Sequence, residues 1–320
     1  MKRIAVLTSG GDAPGMNAAI RAVVRLGLNA GMEVYGVHRG FEGLIDGDLE
    51  RMYLRSVGDI LHRGGTFLKT ARSERFKTEE GRRKAAESLK ALDIENLVVI
   101  GGNGSLIGAL QFSELGFDVQ CLPGTIDNDL SYTDLTIGFD TAVNTVLDAI
   151  TRIRDTSSAH DRITVIEVMG RKCGDIALYS GLAGGAEVVL VPEKECRMED
   201  VLAKVNEGIQ SGKQHSIIIC AEGYPMSSKE VADYLSGKTG RDIRLVVLSY
   251  LQRGGSPTLQ DRMFATECGD VAIRNILDVK RNQAIGIRDG SVQSFDLAEA
   301  LKVEKQFDLR LYEMVDLLSI

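Results

Sequence analysis

Thr125, Asp127 and Asp129 carry the groups best suited to chemistry in this sequence. They lie in the run Leu-Pro-Gly-Thr-Ile-Asp-Asn-Asp at 122–129, which follows a short, largely alternating apolar run typical of a strand. The Pro-Gly pair interrupts regular structure and predicts a turn at the strand end. A hydroxyl and two carboxylates at this spacing could supply a general base and a metal-facing group. The alternative interpretation is an Asx-rich surface turn.

Two other glycine-rich turns follow apolar runs that predict buried strands. The first run, 3–8, ends in Ser-Gly-Gly, and the second, 96–100, ends in Gly-Gly-Asn-Gly-Ser at 101–105. Helical patterns follow at 18–28 and from Leu106 onward. Strand, glycine turn and helix in this order are typical of the βα unit of a parallel sheet.

The same alternation continues along the chain and predicts an α/β fold with two lobes, each a mostly parallel sheet flanked by helices. Further strands are predicted at 33–37, 163–168, 187–191, 216–220 and 243–248. Further helices are predicted at 57–61, 78–92, 142–154, 198–209 and 261–277. A change of lobe is most plausible near Phe139 and again near Gly254.

Composition excludes several classes of protein. The 320 residues are 44% hydrophobic and 26% charged, which is typical of a globular chain with a sizeable core. A net charge of −7 argues against a general nucleic-acid binder. The five cysteines are widely spaced and odd in number, so we expect reduced thiols. The apolar run at 4–7 is too short for a signal peptide or membrane span, so we expect a cytoplasmic protein without a membrane partner.

The predicted turns have the parts needed to bind phosphate groups. Glycines let backbone N–H groups approach an anion, and the following helix N-terminus adds a favourable dipole. Phosphoryl transfer requires such turns together with a cation, a base and basic side chains. Arginines at strand ends or glycine turns supply the positive charge. For any one of them alone a surface ion pair is the better interpretation, but five in such places favour a shared role. They are Arg72, Arg162, Arg171, Arg244 and Arg253.

Two apparent nucleotide-binding motifs each lack a glycine that the motif requires. Gly-Lys-Thr at 237–239 matches the end of a phosphate-binding loop, but Ala232 stands where its first glycine belongs. Gly102-Asn103-Gly104 lacks the third glycine of a dinucleotide fingerprint, because the next one is Gly108.

Several runs together resemble the bacterial ATP-dependent 6-phosphofructokinase family, and the similarity extends over residues 1–320. The runs are Ser9 to Asn17, Pro123 to Asp129, Met169-Gly170-Arg171, Ala221-Glu222-Gly223 and Gln252 to Pro257. The resemblance implies a homotetramer that transfers the γ-phosphoryl of ATP, with Mg²⁺, to the 1-hydroxyl of fructose 6-phosphate in glycolysis, giving fructose 1,6-bisphosphate. It also implies a nucleotide-binding lobe at 1–138 plus 252–305. The sugar-phosphate and effector lobe would be 139–251 plus 306–320.

The resemblance also implies roles for single residues. Asp127 would be the base with Thr125 beside it, while Arg171 and Arg72 would stabilise the phosphoryl in flight. The residues implied for ATP are Gly11, Phe41, Arg72, Ser73, Gly102, Asn103, Gly104, Ser105 and Gly108, with Asn103 and Asp129 facing the metal. Those implied for the sugar phosphate are Thr125, Asp127, Asp129, Arg162, Met169, Gly170, Arg171, Glu222, Arg244, Tyr250 and Arg253, with Arg162 and Arg244 reaching over from a neighbouring subunit. Those implied for an effector site that takes ADP or phosphoenolpyruvate are Arg21, Arg25, Arg55, Arg154, Gly185, Glu187 and Lys213.

The sequence departs from the family pattern at several of these positions. Asn103 stands where the family has an aspartate near Mg²⁺, so we expect weakened MgATP use. Tyr250 replaces a histidine of the sugar-phosphate site, and Phe41 replaces a tyrosine over the adenine. Leu54 and Ser211 fill effector-site positions that are usually basic, which predicts a weaker or altered allosteric response.

Two other functions remain open from the sequence. One is a regulatory paralogue that binds nucleotide or sugar phosphate with little catalysis, which the departures at Asn103 and Tyr250 favour. The other is a pyrophosphate-dependent kinase. Gly104 and Gly124 count against the second, since the resemblance implies an aspartate and a lysine there in the pyrophosphate branch.

Overall fold

The computed structural model describes residues 1–319. In chain order its strands are Arg3–Ser9 (β1), Glu33–Val37 (β2), Leu49–Arg51 (β3), Asn96–Gly101 (β4), Asp118–Pro123 (β5), Ile163–Val168 (β6), Val188–Leu190 (β7), Ser216–Ala221 (β8), Ile243–Val247 (β9), Gln283–Arg288 (β10) and Ser291–Asp296 (β11). Its α-helices are Met16–Asn29 (α1), Gly40–Asp46 (α2), Glu79–Lys90 (α3), Asn103–Ser113 (α4), Phe139–Ala159 (α5), Asp175–Ala183 (α6), Met198–Gln210 (α7), Ser228–Thr239 (α8), Leu259–Leu277 (α9), Leu297–Ala300 (α10) and Leu309–Leu318 (α11).

The chain divides into two compact units, each assembled from separate stretches. The first unit comprises Met1–Ile126, Leu130–Thr141 and Arg253–Lys305. The second comprises Asp127–Asp129, Ala142–Gln252 and Gln306–Ile320. The division predicted from the resemblance, at 138 and 251, lies close to these crossings, whereas the turn at 127–129 belongs to the second unit rather than the first.

The first unit is built on a sheet in the order β11-β10-β5-β4-β1-β2-β3. Its central strands are parallel, and antiparallel β3 and β11 close the two edges. Every residue of β4 and β5 is buried, as expected for parallel strands covered on both faces. Because these strands run in one direction, the turns after β1, β4 and β5 lie along one edge of the sheet.

The second unit has a parallel sheet in the order β7-β8-β6-β9. β8 is fully buried, and its side chains join a core that includes Ile163, Val165, Val201 and Leu235. β9 forms the other edge, and most of its residues are exposed. The turns after β6 and β8 therefore share one edge, in the same way as those of the first unit.

Most of the predicted strands and helices are confirmed, and one is wrong. The helix predicted at 57–61 is a series of turns, because Asp59 has a left-handed backbone (φ 54°) and Gly58 donates to the carbonyl of Arg55. Several elements were not predicted from the sequence: α2, α6, α8, the hairpin of β10 and β11, and the short elements β3, α10 and α11. Gly-Lys-Thr at 237–239 ends helix α8, which confirms that it is not a phosphate-binding loop.

Candidate active site

The turn after β5 places Asp127 against Arg171 in the second unit. Their ion pair joins Arg171 Nε to Asp127 Oδ2 at 3.2 Å, and the Asp127 side chain is 3% exposed while that of Arg171 is 51% exposed. Asn128 has a left-handed backbone (φ 53°), and its Nδ2 donates to Oδ2 of Asp175, the first residue of α6, at 2.8 Å. A buried carboxylate is thus held beside a partly exposed guanidinium.

Glu222 fixes the loop that carries Arg171. Its Oε1 accepts hydrogen bonds from the backbone N–H groups of Gly170, at 3.3 Å, and Arg171, at 2.8 Å. Both donors have positive φ, 136° and 54°. A Cβ at Gly223 would lie 1.8 Å from the Arg171 carbonyl oxygen, so only glycine fits there. The resemblance gave Glu222 to the sugar, whereas its observed contact is with this backbone.

Gly124, in the turn after β5, is packed too closely for a side chain. A Cβ at Gly124 would lie 2.9 Å from Ile100 Cγ2 and 3.2 Å from the backbone N of Gly101. By contrast, Gly104 faces open space. Lysine at 124, the residue implied for the pyrophosphate branch, would require these neighbours to shift, while aspartate at 104 would not.

The turn after β4 leads directly into α4, and it presents the groups expected to hold phosphate. Gly102 precedes the helix in extended conformation, and Asn103 is the first helical residue, exposed to solvent. Ser105 is buried, and its Oγ lies 3.4 Å from where a Cβ of Gly10 would stand. The N-terminus of α4 therefore faces the same edge as the glycine turn after β1.

Arg253 lies against the glycine turn after β1. Its Nη1 is 2.6 Å from the position that a Cβ of Gly11 would take, and 3.9 Å from Oδ1 of Asp12. Its side chain is 16% exposed. The resemblance gave Arg253 to the sugar phosphate, and the structure adds that its guanidinium belongs to the first unit, beside Gly11.

Phe41 forms half of an aromatic pair. It stacks on Phe76 with ring centroids 3.9 Å apart and an interplanar angle of 14°, and both rings are 4% exposed. A Cβ at Gly108 would lie 3.3 Å from Phe76 and 3.5 Å from Phe41. Gly108, in the middle of α4, thus packs against this buried aromatic pair.

Arg72 and Ser73 lie on the loop that precedes Phe76. Arg72 is exposed. Within residues 1–319 its side chain makes no hydrogen bond or ion pair with another residue. The hydroxyl of Ser73 donates to Glu42 and accepts from the backbone N–H of Phe76, so Ser73 can contact a nucleotide only through its remaining groups.

Arg162 and Arg244 lie together at the amino end of the second sheet. Both bond Oδ2 of Asp242, from Arg162 Nε at 2.7 Å and from Arg244 Nη2 at 2.9 Å. Met169 donates through its backbone N–H to Gln252 Oε1 at 3.1 Å. Tyr250 is 75% exposed.

Four of the effector-site residues lie together in the second unit. Arg154 Nη2 donates to the carbonyls of Gly184, at 2.6 Å, and Gly185, at 2.9 Å. Glu187 accepts from the backbone of Ile217, at 2.6 Å, and from Lys213 Nζ, at 3.5 Å. The other three predicted residues belong to the first unit; they are Arg21, Arg25 and Arg55.

A magnesium ion would find few protein ligands here. Within the described residues no cluster of three or more His, Cys, Asp or Glu side chains could hold a metal. Asn103 offers a neutral amide oxygen, and Asp129 offers one carboxylate. Mg²⁺ often takes one or two carboxylates and fills its other positions with phosphate and water oxygens, so an amide or carboxylate oxygen of this kind is a suitable ligand for a nucleotide-bound ion. Asn103 belongs to the first unit and Asp129 to the second.

Several residues that shape the site were not found from the sequence. Asp242 bonds the predicted residue Arg162, and Glu42 bonds the predicted residue Ser73. Asp175 bonds Asn128, which lies between the predicted residues Asp127 and Asp129. These three carboxylates are distant in sequence from their partners, and no sequence spacing indicated them. Asp12 follows the Gly-Gly turn directly, which could have marked it as a partner for a cation. Separately, no helix in the described part of the chain is long and apolar enough to cross a membrane.

A family model and curated relatives both match this chain over most or all of its length. A family model described as Phosphofructokinase matches residues 3–276. The chain is 54% identical over 320 residues to an ATP-dependent 6-phosphofructokinase of Clostridioides difficile, with all of both chains covered. It is 54% identical over 319 residues to the protein of that name from Clostridium tetani, again over the whole of both.

Solved structures agree with this fold. Phosphofructokinase from Saccharomyces cerevisiae superposes with a TM-score of 0.91 at 35% identity, covering 100% of this chain and 48% of the yeast chain. This chain therefore spans about half the length of that relative. A pyrophosphate-dependent phosphofructokinase from Marinobacter aquaeolei has a TM-score of 0.87 at 24% identity, covering 97% of this chain and 86% of that one, which shows the fold alone.

Proposed function

The chain belongs to the phosphofructokinase family, and from this premise we propose that it is an ATP-dependent 6-phosphofructokinase of glycolysis. It transfers the γ-phosphoryl of ATP to the 1-hydroxyl of fructose 6-phosphate and releases ADP and fructose 1,6-bisphosphate. Relatives named ATP-dependent 6-phosphofructokinase, 54% identical over the full length, support this assignment. Neither a regulatory paralogue nor a pyrophosphate-dependent kinase receives comparable support.

The observation that carries the proposal is the ion pair between the buried carboxylate of Asp127 and the partly exposed guanidinium of Arg171. Asp127 accepts the proton of the 1-hydroxyl while that oxygen attacks the γ-phosphorus and the bond to the β,γ-bridging oxygen breaks. A guanidinium has five N–H donors, so Arg171 can hold Asp127 through Nε and contact a phosphoryl oxygen with the others. Thr125 lies two residues before the base and contacts the sugar, and Met169 and Gly170 line the sugar site on the Arg171 loop.

The glycine turns of the first unit hold the triphosphate. Backbone N–H groups at Gly11 and at the N-terminus of α4 face the phosphates, where the helix dipole favours negative charge. Phe41 supplies an apolar surface for the adenine. Arg72 contacts the transferring phosphoryl group, and Arg253 adds positive charge at the turn after β1.

Magnesium, when bound with ATP, neutralises charge on the β- and γ-phosphates. Asn103 and Asp129 are the protein groups that would hold it. Because Asn103 has no charge, we expect a higher Mg²⁺ requirement than in a relative with a carboxylate at that position.

We also infer a cytoplasmic homotetramer with an effector site. Arg162, Arg244 and Tyr250 would complete the sugar-phosphate site, the two arginines from a neighbouring subunit. Light scattering on the purified chain tests the assembly, since a mass of four chains is expected and a monomer would contradict this part of the proposal.

A coupled assay tests the function directly. Wild type should form fructose 1,6-bisphosphate with ATP and show little turnover with pyrophosphate. Asp127→Ala should lower kcat by about 10²- to 10⁴-fold, as expected for loss of a general base, while ATP binding measured by calorimetry is retained. Turnover with pyrophosphate alone, or undiminished turnover by the variant, would contradict the proposal.

A further inference from the structure

The loop that carries Arg72 is anchored on both sides of that residue. On one side the Thr70 hydroxyl donates to the Gly10 carbonyl at 2.9 Å, and the Thr8 hydroxyl donates to the Lys69 carbonyl at 2.9 Å. These bonds fix the loop to β1 and its glycine turn. Residues 71 and 72 follow, and the next residue carries the second anchor.

The second anchor is Ser73 on Glu42. The Ser73 hydroxyl donates to Glu42 Oε2 and accepts from the Phe76 backbone N–H at 3.1 Å, so both its donor and an acceptor site are used. Glu42 Oε1 accepts from Arg75 Nη1 at 2.6 Å. The hydrogen bond from Ser73, with help from Arg75 and against the effect of burial, holds the pKa of Glu42 below its ordinary value, so the carboxylate is ionised at neutral pH.

We propose that Glu42 is a positioning residue for Arg72: by holding the Ser73 hydroxyl it fixes the two-residue stretch that aims the Arg72 guanidinium at the transferring phosphoryl group. A hydrogen bond to an ionised acceptor is stronger than one between neutral groups, which suits this anchor. The inference rests on the proposed function, in which Arg72 contacts that phosphoryl group. Glu42 itself does not touch substrate.

A variant of Asp46, on the same helix, can distinguish positioning of Arg72 by Glu42 from a purely structural role of Glu42 in attaching α2. Helix α2 is tied to the 3₁₀ turn at Arg75–Lys77 by a second carboxylate, since Arg75 Nη1 also bonds Asp46 Oδ1 at 2.9 Å. Asp46 bonds Arg39 as well, at 3.2 Å. Removing Glu42 therefore releases Ser73 but leaves the helix attached. Removing Asp46 leaves the bonds of Glu42 to Ser73 and Arg75 in place. Asp46→Ala is therefore a matched control on the same helix.

A double-mutant cycle tests whether Glu42 acts through Arg72. Glu42→Ala should lower kcat by about 10- to 100-fold, because small displacements of a catalytic group cost that much. Its KM for fructose 6-phosphate should stay within about twofold, since α2 carries no sugar ligand. In an Arg72→Ala background the same change should lower kcat by less than about twofold. Glu42→Gln keeps an acceptor oxygen and should retain most activity, and Asp46→Ala should match wild type.

Limited trypsin digestion supplies a readout that does not depend on turnover. Cleavage after Arg72 should be about tenfold faster in Glu42→Ala and Ser73→Ala than in wild type or Asp46→Ala, because the loop opens more often. Equal losses of kcat from Glu42→Ala in both backgrounds, or unchanged cleavage after Arg72, would overturn the inference. A wild type without ATP-dependent activity would contradict the proposed function instead, and the cleavage rates would then still decide whether Glu42 anchors the loop.

Discussion

Asn103 is the single residue whose identity has the clearest chemical consequence. It begins α4 and is exposed to solvent, so its amide can reach a nucleotide-bound cation without any change in the fold. An amide oxygen can be a ligand for Mg²⁺, but it contributes no negative charge. The missing negative charge at Asn103 should therefore lower the affinity for Mg²⁺, and it should not change the positions of Asp127 and Arg171.

Asn103→Asp should lower the Mg²⁺ concentration at half-maximal rate. We expect a shift of about 10-fold or more, comparable to changes seen when groups around a metal are altered. Rates measured over a Mg²⁺ series at saturating ATP check this. Gln111→Glu adds the same charge further along α4 and should leave the requirement unchanged, whereas equal shifts in both variants would point to a general charge effect.

Gly124 and Gly104 differ in the space around them, so replacing each with alanine should change the free energy of unfolding in opposite directions. Gly124→Ala brings a methyl group within 3.0 Å of Ile100 Cγ2 and Met16 Cε and should cost about 1–3 kcal/mol of unfolding free energy. Gly104→Ala enters open space in the first turn of a helix and should stabilise by up to about 1 kcal/mol. Urea unfolding of both variants measures this. A Gly124→Ala variant as stable as wild type would mean that the turn after β5 is not tightly packed.

Among the elements, α5 and α9 are joined at their N-termini by one buried carboxylate. Asp261, in the first turn of α9, accepts from the backbone N–H groups of Gly138 and Thr141 at 2.8 Å each, and from the Thr141 hydroxyl at 2.5 Å. Burial raises the pKa of Asp261 to about 6, although the hydrogen bonds from Thr141 and Gly138 oppose the rise. This side chain therefore titrates within an accessible range.

The raised pKa of Asp261 determines how the free energy of unfolding changes with pH. Because the folded-state pKa lies above the ordinary value of 3.8, the folded protein binds the proton more tightly, and this contribution to stability is lost as pH rises through about 6. The difference in unfolding free energy between wild type and Asp261→Asn should therefore fall by about 1.4 kcal/mol between about pH 5 and about pH 7.5. Urea unfolding at both pH values checks this, and parallel stability curves would contradict it.

Elements with clear periodicity could be predicted from the sequence, and those defined by context could not. The apolar pattern of 163–168 predicted β6 with the observed bounds, since all of its residues except Glu167 are buried. Helix α6 was missed because it is buried on most sides and so lacks a polar stripe. In the site, spacing indicated Asp127, but only the folded chain brings Glu222 to the backbone of Arg171. Contacts between distant residues depend on topology, which single-sequence patterns do not specify.

At the scale of the whole molecule, the effector site proposed from the resemblance has two neutral residues at positions where positive charge is expected. Leu54 is 51% exposed, and Ser211 directly follows the last residue of α7. Neither side chain carries a charge. Phosphate-rich effectors bind through such charges. We therefore expect the proposed effector site to act weakly.

ADP should change the half-saturating fructose 6-phosphate concentration by less than about threefold, below the range usual for allosteric coupling. Ser211→Lys should increase the effect, because it restores a cation near Lys213. Steady-state kinetics with and without ADP measure both. Ser236→Lys, an exposed position on α8, is the control and should not alter the response. A tenfold effect in wild type would contradict this expectation.

The first unit is assembled from stretches that are far apart in the chain, and this has a consequence for its synthesis on the ribosome. β5 receives its neighbour β10 only when Gln283 can pair with Gln120, so its edge stays uncovered while roughly 160 further residues are translated. At ordinary elongation speeds this takes on the order of 10 to 30 seconds. During that interval the nascent chain displays an apolar strand edge, a known route to misassembly. Chaperone engagement should therefore concentrate on nascent chains that stop between these two strands.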